Sequence, residues 1–408
     1  MWHKYESNRN HFLQSQVKFL TSATINGITK FQAKQSTLNQ CQHYACPDNN
    51  TSTYFDDRAE LAYGLGALPK LLKEIGSDDA TTQFRAINSL SEYIRNPLHA
   101  QRAITQYQIV RRCQNLLLRL RIKNQESKCR GLDCLLTIFY YISMHLNGVH
   151  QIVRSNRLLD QIYEIVINRE THMPKATKIL ALLSGQPTAS LYLINSYNVL
   201  DKLKSIWSCD ICALYYPEDL WLHLQHILEY IPNEAVKCGF FEILYKRIKG
   251  RLFQFHQFDL KCFALLCRSE EGQQRFGAID GVKEMYGILK DPLAKLDTYE
   301  NVVLTLMNGI MSKQVLWRCR EFPDLPLVIA ELSRDTTNSN MQLWCFQLLR
   351  ELGEMPCIKR FTRATCLEIL KNCKGLSLKN EGARSELLYW LQRELYHTTN
   401  LRLKSLDI

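Results

Sequence analysis

Apolar and polar positions along this chain follow a repeating order. Two apolar residues, two spacers and a further apolar residue recur eight times. They read Ala67-Leu68 with Leu71, Ile109-Val110 with Cys113, Leu158-Leu159 with Ile162, and Val199-Leu200 with Leu203. The series continues with Phe240-Phe241 and Leu244, Gly281-Val282 and Met285, Leu325 and Val328, and Cys366-Leu367 and Leu370. Between the markers Leu68, Val110, Leu159, Leu200, Phe241, Val282, Leu325 and Leu367 the steps are 42, 49, 41, 41, 41, 43 and 42 residues. A second, longer apolar segment lies in each interval: Phe84, Ile87, Leu90 and Ile94; Cys134, Leu135 and Ile138; Ile179, Leu182 and Leu183; Leu224, Ile227 and Leu228. Phe263 and Leu266, Val303 and Leu306, Trp344, Leu348 and Leu349, and Leu387, Leu388 and Leu391 complete that set. Spacings of three and four place each apolar set on one face of a helix. No strand-like alternation competes with this reading.

A step of roughly 40 to 47 residues filled with helical pattern is the spacing of armadillo and HEAT repeats. One repeat cannot bury its own stripe, so neighbours must stack. The expected fold is an all-α, right-handed superhelical solenoid of about eight repeats, running from residue 58 to 400. Residues 1–57 are polar and aperiodic and read as a flexible leader, with Phe12-Leu13, Val17 and Phe19-Leu20 forming at most one short amphipathic helix. Residues 401–408 read as a tail. Asp57 is placed to cap the first helix. Breakers mark segment edges at Asn96-Pro97, Met173-Pro174, Tyr216-Pro217, Ile231-Pro232, Asp291-Pro292 and Met355-Pro356, because proline disfavours helical geometry in the residue before it. In Gly76-Ser77-Asp78-Asp79 the glycine suits a left-handed helix end and an aspartate suits the next cap. The 49-residue step implies extra length, either around Arg121 to Lys128 or around Met144 to His150.

Within the first repeat, Ala62-Tyr63-Gly64 through Ala67-Leu68-Pro69-Lys70-Leu71-Leu72 leads to Ser77-Asp78, then Arg85-Ala86-Ile87, Leu90 and Arg95-Asn96-Pro97. This run resembles the opening of the radial spoke head protein 14 family, also called the rhabdoid tumour deletion region protein family, of the armadillo-repeat superfamily. The resemblance covers roughly 45 residues; beyond them repeat length and helix pattern agree. Arg95-Asn96-Pro97 departs from the acidic turn usual in that family, and the leader precedes the point where its members usually start. The resemblance implies a non-catalytic scaffold in the radial spoke machinery of motile cilia and flagella, a cytoskeletal location in the axoneme, and spoke or axonemal proteins as partners.

Composition changes this picture little. Hydrophobic residues make up 46% of the 408 and charged residues 22%, an ordinary globular balance that excludes global disorder. A net charge of +11 favours acidic partners, protein tails among them. The candidate groove residues are Lys70, Lys73, Arg111, Arg112, Arg119, Lys202 and Lys246, on the expectation that the helix carrying the ladder pattern lines the concave face. Arg121 and Lys123 extend the second cluster. Arg247, Lys249 and Arg251 accompany Lys246, where the plainer role is complementing a helix dipole.

The chain opens Met1-Trp2-His3-Lys4-Tyr5-Glu6 with no apolar signal core, so the 15 cysteines are expected as reduced thiols, most of them small core residues. The apolar stretch from Gly131 to Val149 is broken by Asp133 and His145, too short an uninterrupted run to span a bilayer, and is expected as a buried repeat helix. No membrane or nucleic-acid partner is expected. The sequence contains no GxSxG, HExxH, phosphate loop or GxGxxG, so no catalytic residue and no cofactor is assigned. Cys209, Cys212, His223 and His226 have the one metal-like spacing, but the ten-residue gap is short and no second CxxC exists, so no metal is assigned.

Two other functions for such a solenoid fit less well. A nuclear-import adaptor would need a Trp-x-x-x-Asn ladder, yet Trp2, Trp207, Trp221, Trp317, Trp344 and Trp390 are followed at that spacing by Glu6, Ile211, Gln225, Glu321, Leu348 and Glu394. A helical-repeat nucleic-acid binder would need aromatics interleaved with the basic residues and one base read per repeat. A soluble adaptor in the transport or assembly of axonemal complexes stays as the alternative.

Overall fold

The computed structural model describes residues 66–122, 126–207, 216–249, 257–291 and 294–393. The leader, Asp57 and the tail lie outside the described residues. Twenty-two α-helices and one short 3-10 turn are present in the described residues, and no strand. They fall into three recurring classes.

The ladder helices are α1 (Ala67–Glu74), α4 (Ile109–Ile122), α7 (Asn156–Ile167), α10 (Val199–Trp207), α13 (Phe240–Lys249), α16 (Gly281–Leu289), α19 (Leu325–Asp335) and α21 (Pro356–Asn372). The long helices are α2 (Ala80–Tyr93), α5 (Glu126–Ser143), α8 (Met173–Ser184), α11 (Glu218–Tyr230), α14 (Gln257–Leu266), α17 (Leu296–Gly309), α20 (Ser339–Leu352) and α22 (Leu378–Arg393). Short edge helices follow the first six long ones: α3 (Pro97–Tyr107), α6 (Leu146–Val153), α9 (Pro187–Tyr197), α12 (Pro232–Lys237), α15 (Glu270–Ala278) and α18 (Lys313–Arg318). In the seventh repeat α21 is one 17-residue helix that takes the place of both edge and ladder helices.

The apolar pattern explains the packing. Seven ladder markers, from Leu68 to Leu325, are buried; Leu367 is half-buried, and Cys366 and Leu370 hold that corner instead. In the long helices Ile87, Leu90, Leu135, Ile138, Ile179, Leu183, Leu224, Ile227, Phe263, Leu306, Leu348 and Leu391 are all buried, in one continuous core. Each long helix lies along the next, from α2 to α22, while neighbouring ladder helices touch sparingly except for α19 and α21 at the C-terminal end. In a curved stack the spacing between repeats widens away from the axis of curvature, so the closely packed layer is the inner one.

Helix ends follow local chemistry. The Asp79 carboxylate accepts from the Thr82 amide at 2.8 Å and the Thr81 amide at 3.4 Å, capping α2. Asn96 caps α3 through the Leu98 amide at 2.9 Å, with Pro97 in the first turn. Asn338 caps α20, and the Ser269 hydroxyl caps α15 by accepting from Gly272 N–H at 3.1 Å. Pro97, Pro187, Pro232 and Pro356 open helices, as their N-terminal tolerance requires.

Three sequence expectations change. Gly76 is not left-handed: α1 ends through Ile75 in right-handed geometry, and the one described glycine with positive φ is Gly239. Of the two places expected for the extra length of the 49-residue step, Met144 to His150 holds only a short corner between α5 and α6; α4 and α5 run 14 and 18 residues on either side of residues 123–125 in the Arg121–Lys128 segment, which lie outside the described residues. Each of the first six repeats carries three helices, not two, because the edge helices are too short for their periodicity to stand out. The Gly131–Val149 stretch falls in α5 and α6, with Leu135, Leu136, Ile138, Phe139 and Ile142 buried. Among the described residues no helix is long and apolar enough to cross a membrane.

Candidate protein-binding surface

The seven cations read from the sequence do not form one site. Lys70 and Lys73 are exposed on α1, Arg111, Arg112 and Arg119 on α4, and Lys246 on α13, which belong to the first, second and fifth ladder positions. Lys202 on α10 is partly buried and ion-paired with Asp160 at 3.0 Å, whose same oxygen accepts from the Tyr197 hydroxyl at 2.8 Å. All seven lie on ladder helices, which form the outer layer. The expectation that the ladder helix lines the concave face is therefore corrected, because the long helices are the closely packed layer. Arg247 is not a surface charge: its guanidinium is buried, bidentate to Asp259 at 2.7 and 3.2 Å, and lies 5.6 Å over the Trp221 ring. The Arg121 side chain, Lys123 and Arg251 lie outside the described residues.

On the long-helix layer another set of polar side chains converges. An open pocket of about 590 Å³ lies between α2, α5 and the start of α8, lined by Phe84, Asn88, Arg130, Asp133, Cys134 and His172. Helical periodicity puts Arg85 and Asn88 on one exposed face of α2, and Arg130, Asp133 and Cys134 on that of α5. Asp133 is held in place. It accepts from Lys175 Nζ at 2.6 Å, lies 3.6 Å from His172 Nδ1, and Lys175 also donates to the Thr137 hydroxyl at 2.8 Å. Cys134 Sγ lies 3.6 Å from Asn88 Oδ1. Burial pushes its thiol above the ordinary range, so it is a neutral thiol rather than a nucleophilic thiolate. The arrangement offers charged and amide groups that can bind a ligand. Arg85, Arg130, Lys175 and Lys178 do not stand out in the sequence, because single polar residues on the outer side of an amphipathic helix look like any solvated face. Their signal was a polar residue every third or fourth position on the long helices.

The two histidines of the metal-like set each have a hydrogen-bond partner in a neighbouring helix. His223 is wholly buried on α11 and shares a 2.7 Å hydrogen bond with the Tyr163 hydroxyl of α7. Burial pushes its pKa down to about 3. His226 Nδ1 lies 3.1 Å from the Ser184 hydroxyl. Both imidazoles thus tie repeats together. Cys209 and Cys212 lie outside the described residues, and no group of metal-ligating side chains converges among the described ones.

Comparison with solved structures places the architecture. A chain from the structure of the cadherin and beta-catenin interaction, described as controlled by a conserved phosphorylation switch, is similar over 79% of this chain with a TM-score of 0.51 and 13% identity. The fold is the armadillo-repeat solenoid. An engineered protein (TM-score 0.43, 13% identity, 80% of this chain and 98% of the other) and a designed armadillo repeat protein (TM-score 0.35, 11% identity, 70% and 99%) are also similar. This armadillo chain spans 63% of the length of the beta-catenin-complex chain it matches. No protein-family model and no curated protein matches the sequence.

Proposed function

We propose that this chain is a non-catalytic armadillo-repeat scaffold of the axoneme, working in the radial spoke of motile cilia and sperm flagella by holding protein partners. The observation that carries the scaffold reading is the unbroken layer of eight long helices, which offers an extended surface rather than a closed cleft. Axonemal placement is supported by the resemblance of the first repeat, from Ala62 to Ile104, to the radial spoke head protein 14 family.

The test is fractionation of motile flagella from a source expressing the chain. Detergent removes membrane and matrix, and high salt then strips the microtubule core. The chain is expected to stay with the core after detergent and to co-extract with spoke proteins in salt. Complete release with detergent would overturn axonemal anchoring in favour of the soluble adaptor.

A further inference from the structure

The exposed face of the long-helix layer changes character along its length. Over α2, α5 and α8 it carries Arg85, Arg130, Lys175 and Lys178 against Asp133. Asp133 is already paired with Lys175, with the His172 ring 3.6 Å away, whereas Arg130 and Lys178 are exposed and make no ion pair among the described residues. Lys178 is one turn beyond Lys175, on the same face of α8. Farther along the layer the exposed charges are mixed, with Lys261 on α14 and Lys379 on α22 alternating with Asp297 on α17 and Glu351 and Glu354 at α20. The cationic end is also where the pocket lies, with the Phe84 ring as an apolar surface and the Asn88 amide beside it.

We propose that this face binds an extended acidic segment of a protein partner, with carboxylates on Arg130 and Lys178 and an apolar side chain over Phe84. The inference rests on the scaffold reading above and gives it a place and a ligand chemistry. The spacing follows from geometry. Packed helices lie about 8–10 Å apart and an extended chain advances about 3.3 Å per residue, so a segment crossing the layer meets a new helix roughly every third residue. Carboxylates three residues apart then reach Arg130 on α5 and Lys178 on α8. Arginine can take a carboxylate through two parallel hydrogen bonds. A nucleic-acid backbone fits less well, since Asp133 stands in the middle of the face and phosphate binding draws on many cations in a row.

The probe is a fluorescein-labelled dodecapeptide with aspartates at every third position and one central leucine, titrated against the full chain by fluorescence anisotropy. A second peptide has asparagine at each aspartate, and a labelled twelve-residue oligothymidylate serves as the nucleic-acid probe. The aspartate peptide is expected to bind, to bind at least tenfold tighter than the asparagine peptide, and to weaken as salt rises. Arg130→Glu with Lys178→Glu is expected to weaken it tenfold or more. Lys70→Glu with Lys73→Glu, on the outer layer, is expected to change it less than twofold. All four residues are exposed, and unchanged circular dichroism checks that each variant folds. Equal binding of the two peptides, tighter binding of the oligothymidylate, no binding of the aspartate peptide, or loss in the Lys70/Lys73 variant alone would each overturn the proposal. None of these bears on axonemal retention, which flagellar fractionation reads separately.

Discussion

At the scale of single residues, the buried polar groups fix what the core tolerates. His223 takes up a proton in the folded chain only near pH 3, while an unfolded imidazole does so near 6.5. Between those values the unfolded state binds the extra proton, so stability falls as pH drops through the window. At pH 5 the loss from this one group is about 2 kcal/mol. Denaturant midpoints measured from pH 7 to 5 should decline less in His223→Gln, which keeps a polar group opposite Tyr163; an identical decline would exclude His223 as the cause. The Arg247–Asp259 pair has a different logic. Arg247→Met leaves a buried carboxylate unmatched and is expected to cost about 3–5 kcal/mol, whereas Arg247→Met with Asp259→Leu should recover most of it. Urea unfolding of the two variants decides this. Composition had marked Arg247 only as one of a basic run. Its partner Asp259 lies 12 residues further along the chain, and nothing local in the sequence pairs them.

At the scale of elements, the ladder and long helices were legible because their apolar residues recur at three and four. The turns between edge and ladder helices were not. Gln108, Asn198, Gly239 and Asp280 each stand just before a ladder helix with positive φ, between 50° and 96°. This position is left-handed in four repeats and not at Ser155 or Asp324, and four different residue types fill it, so no single-letter signal exists. Gly239→Ala should destabilise by about 1–2 kcal/mol, the cost of left-handed geometry for a residue with a Cβ, read as a lower thermal midpoint. The corner from long to edge helix uses a second hidden position. Ala100, Gly148, Ser190, Ala235, Gly272 and Val315 are buried at the third or fourth residue of successive edge helices. A Cβ at Gly148 or Gly272 would stand 2.1 Å from the carbonyl oxygen of Ile142 or Leu266. Gly272→Ala is expected to cost about 1–3 kcal/mol through overpacking, and an unchanged urea midpoint would refute that crowding.

At the scale of the whole molecule, periodicity alone gave the all-α solenoid and its eight repeats, since the interval of apolar stripes is also the interval of stacking. Which layer faces inward was not legible. Both helix classes carry apolar stripes, and only their relative packing density separates inner from outer; the ladder cations Lys70 to Lys246 were assigned to the wrong layer for that reason. A stack of this kind also has no central nucleus, so its ends are held locally. Trp390 of α22 lies over Gly353, with Lys359 Nζ 3.3 Å and Arg350 Cζ 4.9 Å from its ring. Trp390→Ala should release amide protection in α21 and α22 while leaving α5 to α11 unchanged, measured by hydrogen exchange. Loss of protection throughout would mean that the repeats unfold as one cooperative unit.

The crowded corners have a consequence for reach. Each sets the angle at which one repeat turns away from the last. A rotation of a few degrees at Gly148, early in the array, is carried by every later repeat, so the far end sweeps through a distance that grows with the number of repeats beyond it. The distance between the two ends of the layer therefore depends on a handful of small buried side chains at the corners between repeats.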